Sequence, residues 1–103
     1  MSVKLSLNPS PTFTAPVEIP LPDGVVAKQV FTFKHRTREQ LNELLADKEI
    51  TDPDLIAAMC TGWDLDEEFN SDNIKLLCSN YMMAPRLILN VYTASLIEGR
   101  KGN

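Results

Sequence analysis

The chain has one histidine, two cysteines and four glycines among its 103 residues, and each scarcity removes a class of chemistry. His35, Cys60 and Cys78 supply too few neighbouring soft ligands for a structural zinc site. The two thiols read as small buried hydrophobes rather than as a disulfide. The glycines are scattered, so there is no glycine-rich phosphate loop. Serine and cysteine fall in no nucleophile-elbow or Cys-His pattern, and nothing in the sequence places a nucleophile or carboxylate beside His35. A non-enzymatic chain without cofactor or metal is expected.

Positive charge is also in short supply. Lys and Arg total 10 against 14 Asp and Glu, a net charge of −4 at pH 7. Non-specific binding to nucleic acid or to an anionic membrane needs a basic surplus, so neither is expected. No apolar run approaches the length that crosses a bilayer, and no charged segment followed by an apolar one opens the sequence. A soluble, non-secreted protein is therefore the expectation.

Proline, by contrast, is dense at the start: Pro9, Pro11, Pro16, Pro20 and Pro22 exclude helix there. Phe13, Ala15, Val17 and Ile19 alternate, which predicts a strand with one apolar face, placed at an edge by Pro16. Leu21-Pro22-Asp23-Gly24 supplies turn chemistry. A second alternating run follows, with Val26, Lys28, Val30 and Thr32 on one side and Val25, Ala27, Gln29, Phe31 and Phe33 on the other. Together these predict a β-hairpin over residues 12–34. Val3-Lys4-Leu5-Ser6-Leu7 also alternates and either adds a short strand or belongs to an extended, mobile arm over residues 1–11.

At Thr37 the period changes. Thr37-Arg38-Glu39-Gln40 matches a capping box, and Leu41, Leu44 and Leu45 continue a helix to Ala46. A second helix is expected from Thr51-Asp52-Pro53, with an acid at its cap; Leu55, Ile56 and Met59 form its stripe, and Gly62 stops it. Asn70 or Ser71-Asp72-Asn73 caps a third, with Ile74, Leu77 and Cys78 facing inward. The last opens at Ala84-Pro85 and runs through Leu87, Ile88, Val91, Tyr92, Ser95 and Leu96 to Gly99. Strands first and helices afterwards predict an α+β fold: an N-terminal hairpin of two to three antiparallel strands, then a small bundle of about four helices over 37–99. One domain spans 12–103.

Gly62-Trp63-Asp64-Leu65-Asp66-Glu67-Glu68-Phe69 sets the only tryptophan against a run of acids. Asp64, Asp66 and Glu68 alternate as in an EF-hand, but Phe69 and Lys75 stand where that loop needs glycine and a bidentate acid. The acids suit the start of the third helix through its macrodipole. Trp63 and Phe69 can fold back onto the helix pair, with Trp63 read first as a core anchor and second as a partner-facing hot spot. Lys34-His35-Arg36-Thr37-Arg38 reads as a solvated strand-to-helix junction, lacking the interleaved aromatics of a nucleic-acid site. Tyr81-Met82-Met83 occupies a connection where polar residues would suffice. It either fills an irregular core gap or faces a partner of variable shape. The partner-binding candidates are thus Trp63, Phe69, Tyr81, Met82 and Met83. Phe13, Ala15, Val17 and Ile19 mark a candidate edge strand for self-association.

Four groups of residues in order carry a resemblance to a known family. They are Phe31-Thr32-Phe33-Lys34-His35-Arg36-Thr37-Arg38; Gly62-Trp63-Asp64-Leu65 with Glu67, Glu68 and Phe69; Asn73 with Leu76 and Leu77; and Tyr92, Leu96, Arg100, Lys101 and Asn103. In these the chain resembles the tail assembly chaperones of long-tailed bacteriophages and prophages, and departs at Met82-Met83-Ala84-Pro85, where a proline directly after the tyrosine is expected. The resemblance implies a non-enzymatic protein of the infected bacterial cytoplasm. Its implied task is to bind the tape measure protein until tail tube subunits polymerise around it, and it would be absent from the mature virion. Implied further partners are the tail tube protein and a frameshifted longer form of the chain, and the edge strand over Phe13 to Ile19 adds the expectation of a homo-oligomer. The competing expectation is a structural minor tail or head-to-tail joining component.

Overall fold

A computed structural model describes residues 4–99. Val3 of the N-terminal alternating run, and Arg100, Lys101 and Asn103 of the family resemblance, lie outside the described residues. The order is β1 (Thr12–Pro20), β2 (Val26–Lys34), α1 (Arg38–Ala46), α2 (Asp52–Met59), β3 (Cys60–Trp63), α3 (Ser71–Asn80) and α4 (Ala84–Glu98). It is an α+β fold, a three-stranded antiparallel sheet in the order β1-β2-β3 with four helices.

The hairpin closes as its turn residues dictate. Gly24 N donates to Leu21 O at 2.9 Å, Leu21 N to Val25 O at 2.7 Å, and the Asp23 carboxylate takes the Val25 amide at 3.0 Å. Gly24 adopts φ 91°, a conformation that favours glycine. Ala15, Val17, Ile19, Phe31 and Phe33 face inward and are buried, whereas Val26, Lys28 and Val30 face solvent. The helices cover only the inward side, with α4 against β1 and α2 against β2 and β3. Phe33 lies at the centre of this core, its ring 5.4 Å from Phe13, 5.3 Å from Tyr92 and 6.3 Å from Phe31.

Helix starts follow local chemistry. Thr37 and Gln40 form the reciprocal capping box of α1, and Asn70 caps α3 by accepting from Asn73 N. At α2 the cap is Thr51 rather than an acid: its hydroxyl takes the Asp54 amide, while Asp52 and Asp54 occupy the first turn and meet the positive end of the dipole. α4 ends at Gly99, φ 71°.

The third strand is not where alternation suggested one. Residues 4–7 form no strand, and Leu5 and Leu7 are 85% and 90% exposed. Instead α2 ends at Met59, not Gly62, and Cys60–Trp63 pairs with the free edge of β2. Four residues are too few for periodicity to signal a strand, and what ends the helix is the row of unpaired β2 backbone groups beside it.

β3 contains a bulge. Phe31 pairs with Trp63, Thr32 with Gly62, but Phe33 with Cys60, so Thr61 is the extra residue. In a regular strand, residues three apart face opposite sides. The bulge puts both Cys60 and Trp63 on the helix-covered side, opposite Phe33 and Phe31.

Candidate functional site

Trp63 is half-buried and aimed by three contacts. Its ring meets Phe31 edge-on at 6.1 Å and Phe69 at 5.0 Å, and its indole N–H donates to Glu67 O at 2.8 Å. That bond folds the acidic segment into a tight loop. Asn73 Nδ2 holds the same loop by donating to Glu68 O at 2.7 Å. Asp64 braces its start, because its carboxylate accepts from Val30 N and Gln29 Nε2, both at 2.9 Å, while its own amide donates to Val30 O at 3.0 Å. The first acid of the run therefore extends the β2–β3 ladder. Asp66, Glu67 and Glu68 remain exposed around the aromatic pair.

Beside this loop lies an open groove of about 350 Å³. One wall is the turn end of the hairpin, with Ile19, Leu21, Ala27, Gln29 and Phe31. Trp63, Leu65 and Glu67 form the floor, and Asn73, Leu76, Leu77, Asn80 and Tyr81 from α3 and its C-cap form the other wall. Its volume lies within the range of about 300–1,000 Å³ typical of binding clefts, and its surface is mostly apolar.

The sequence-predicted partner residues divide around this groove. Trp63 and Tyr81 line it; Phe69 supports Trp63 from behind. Met82 and Met83 follow Tyr81 but do not line it, and they are 86% and 51% exposed. Leu21, Leu65 and Leu76 also line it but are not among the partner-binding candidates that the sequence marks. For Leu76 a signal existed: adjacent helical residues point about 100° apart, so Leu76 and Leu77 cannot both face one core. Leu77 is buried and Leu76 is 56% exposed.

The candidate self-association strand is β1, at one edge of the sheet. The side chains of Ala15, Val17 and Ile19 are buried beneath α4 and its neighbours, and Phe13 is half-buried against Phe33 and Tyr92. Bonds from His35 N to Pro11 O and Leu21 N to Val25 O show that odd-numbered residues of the hairpin point their backbone groups at each other. Even-numbered residues of β1 therefore face outward. Two of those are Pro16 and Pro20, which have no amide to donate, so an added strand would find no donor at either position.

The basic cluster is only partly a solvated junction: Thr37 and Arg38 are exposed, but Lys34 and Arg36 turn towards α2. Arg36 is half-buried and donates to Ala58 O at 2.7 Å and to the Tyr92 hydroxyl at 3.0 Å, while that hydroxyl donates to Lys34 O at 2.8 Å. Lys34 Nζ reaches Ala57 O at 3.3 Å. Both cations thus satisfy carbonyls in the last turn of α2, where positive charge is favoured.

Both thiols are held protonated. Burial pushes Cys60 up to about 12, only partly offset by the Lys34 charge, and burial followed by the negative charge of Asp52 raises Cys78. A thiol that binds its proton more tightly when folded contributes stability below its ordinary value of 9.0 and loses it as pH rises towards 12. Unfolding free energy is expected to fall over that window with a slope approaching about 1.4 kcal/mol per pH unit from Cys60. Burial raises Tyr92 in the same sense, against the opposing pull of Arg36. Urea unfolding of the native chain and Cys60→Ala, compared at about pH 8 and about pH 10.5, checks this: the variant should show the shallower decline.

Among the described residues no helix is long and apolar enough to cross a membrane. No curated protein and no solved structure matches the chain. A family model described as phage tail assembly chaperone matches residues 1–103, every position of the sequence. The chain belongs to the phage tail assembly chaperone family.

Proposed function

We propose that this protein binds the tape measure protein of a tailed phage in the bacterial host cytoplasm and keeps it soluble until the tail tube polymerises. It does so without catalysis and leaves before the virion is complete. The observation that carries this reading is the open apolar groove between the hairpin turn and α3. A holdase needs accessible apolar surface on an otherwise charged, soluble body. Here Trp63, Leu65, Leu76 and Tyr81 supply the surface, and the net charge of −4 supplies solubility. Met82 and Met83, exposed next to Tyr81, extend the contact with side chains that adapt to different partners.

Self-association through β1, and contacts with the tail tube protein or a frameshifted longer form, belong to the same proposal. Strand addition to β1 would be short, because Pro16 and Pro20 interrupt its outward donors.

Co-expression with tape measure fragments tests the reading. The native chain should raise their soluble fraction and co-purify with them, and Trp63→Ala combined with Leu76→Ser should lose most of both effects. Native chain that neither forms a complex nor improves solubility overturns it. Purified virions containing the chain would favour the structural minor tail component instead.

A further inference from the structure

The groove carries charge on one side only. Glu67 is the one charged side chain among its lining residues, and Asp66 and Glu68 flank it on the same loop. No lysine or arginine among the described residues lines it. The loop's position is set by backbone bonds rather than by its carboxylates: Trp63 holds Glu67 O, Asn73 holds Glu68 O, and Asp64 is tied to β2. The backbone that carries the three acids is therefore placed before any partner arrives, and little loop ordering opposes their use. Opposite them, Asn73, Leu76, Leu77 and Asn80 follow helical spacing and present one face of α3. Such a face accepts the side-chain ridge of another helix. The hairpin wall offers side chains from strands already paired with each other, not open backbone.

We propose that the groove selects a helical segment whose apolar stripe is flanked by lysine or arginine, with the acidic loop over Asp66, Glu67 and Glu68 reading the cation. This deepens the tape measure reading and rests on it. The apolar floor supplies most of the affinity, and the loop decides which apolar helices are accepted, because a carboxylate-flanked helix would meet fixed like charge.

Trp63 is the only tryptophan and lies in the groove, so its fluorescence reports occupancy. Two synthetic amphipathic peptides with the same leucine stripe are titrated into the full chain, one flanked by lysine and one by glutamate. The lysine peptide should shift Trp63 emission and bind about tenfold tighter at low salt. That preference should shrink at about 1 M salt, where charges are screened within about 3 Å. Asp66→Lys with Glu67→Lys should reverse the order, since both side chains are exposed and the loop is held by its backbone. Leu76→Glu should weaken both peptides. Equal binding of the two peptides, or binding with no change at Trp63, overturns the proposal. So does a Trp63 shift that depends on protein concentration alone, which would assign the groove to a second copy. A tape measure complex formed without peptide selectivity would leave the proposed function standing and remove only this inference. Selectivity without such a complex would do the reverse.

Discussion

Phe33→Ala is expected to lower the unfolding free energy by about 3–5 kcal/mol, the largest effect of any single substitution discussed for this chain. The Phe33 ring is fully buried on the central strand and lies within stacking distance of both Phe13 and Tyr92. Its removal forfeits the apolar transfer energy, leaves a cavity bounded by β1, β2 and α4, and breaks its aromatic pairs with Phe13, Tyr92 and Phe31, worth about 0.5–1.5 kcal/mol each. Domains of this size are stable by about 5–15 kcal/mol in total, so the variant should be partly unfolded or close to it. Urea titration is the measurement, with the midpoint falling and the slope unchanged. Phe13→Ala, which removes the half-buried ring at the rim of the same cluster, should cost less. A Phe33 variant destabilised by less than about 1 kcal/mol would show that the aromatic cluster is not the centre of the core.

Arg36→Met should cost about 2–3 kcal/mol through polar rather than apolar loss. Arg36 joins three chain segments: its own strand-to-helix junction, the carbonyl of Ala58 in the last turn of α2, and the hydroxyl of Tyr92 on α4. Methionine keeps much of the aliphatic stem but leaves the Ala58 carbonyl without this donor and the Tyr92 hydroxyl with its bond to Lys34 O alone. Tyr92→Phe removes the other half of the pair. Because the two share one hydrogen bond, the double variant should be less destabilised than the sum of the singles, by about 0.5–3 kcal/mol. Strict additivity would mean that the Arg36–Tyr92 contact contributes nothing to the folded state. Neither residue lines the groove, so peptide binding by the single variants should persist wherever they remain folded.

These two residues also show how far local pattern carries. Phe33 could be placed in the core from alternation alone, since Phe31 and Phe33 share a face with Ala27 and Gln29 and the opposite face carries Lys28. Arg36 could not. A basic run next to a capping box has the composition of an exposed junction, and the carbonyls that it satisfies lie more than twenty residues away in sequence. Trp63 falls between the two. Its bulk and its place between helices suggested an anchor, but its face of the sheet depends on the bulge at Thr61, which exists only because β3 pairs with β2.

The amino-acid sequence by itself determined the hairpin, its turn at Leu21–Gly24, the capping of α1 and the inward stripes of α2, α3 and α4, whereas in α1 Leu41 is buried and Leu45 exposed. Each of these rests on periodicity, turn dihedrals or caps, which involve residues within a few positions of one another. Tertiary structure alone decided that α2 stops at Met59, that Cys60–Trp63 becomes a strand, that Arg36 turns inward, and that Leu65 and Leu76 meet the hairpin turn across a groove. Those outcomes depend on hydrogen-bond partners and apolar surfaces brought together from distant parts of the chain, whose pairing no local window of sequence contains.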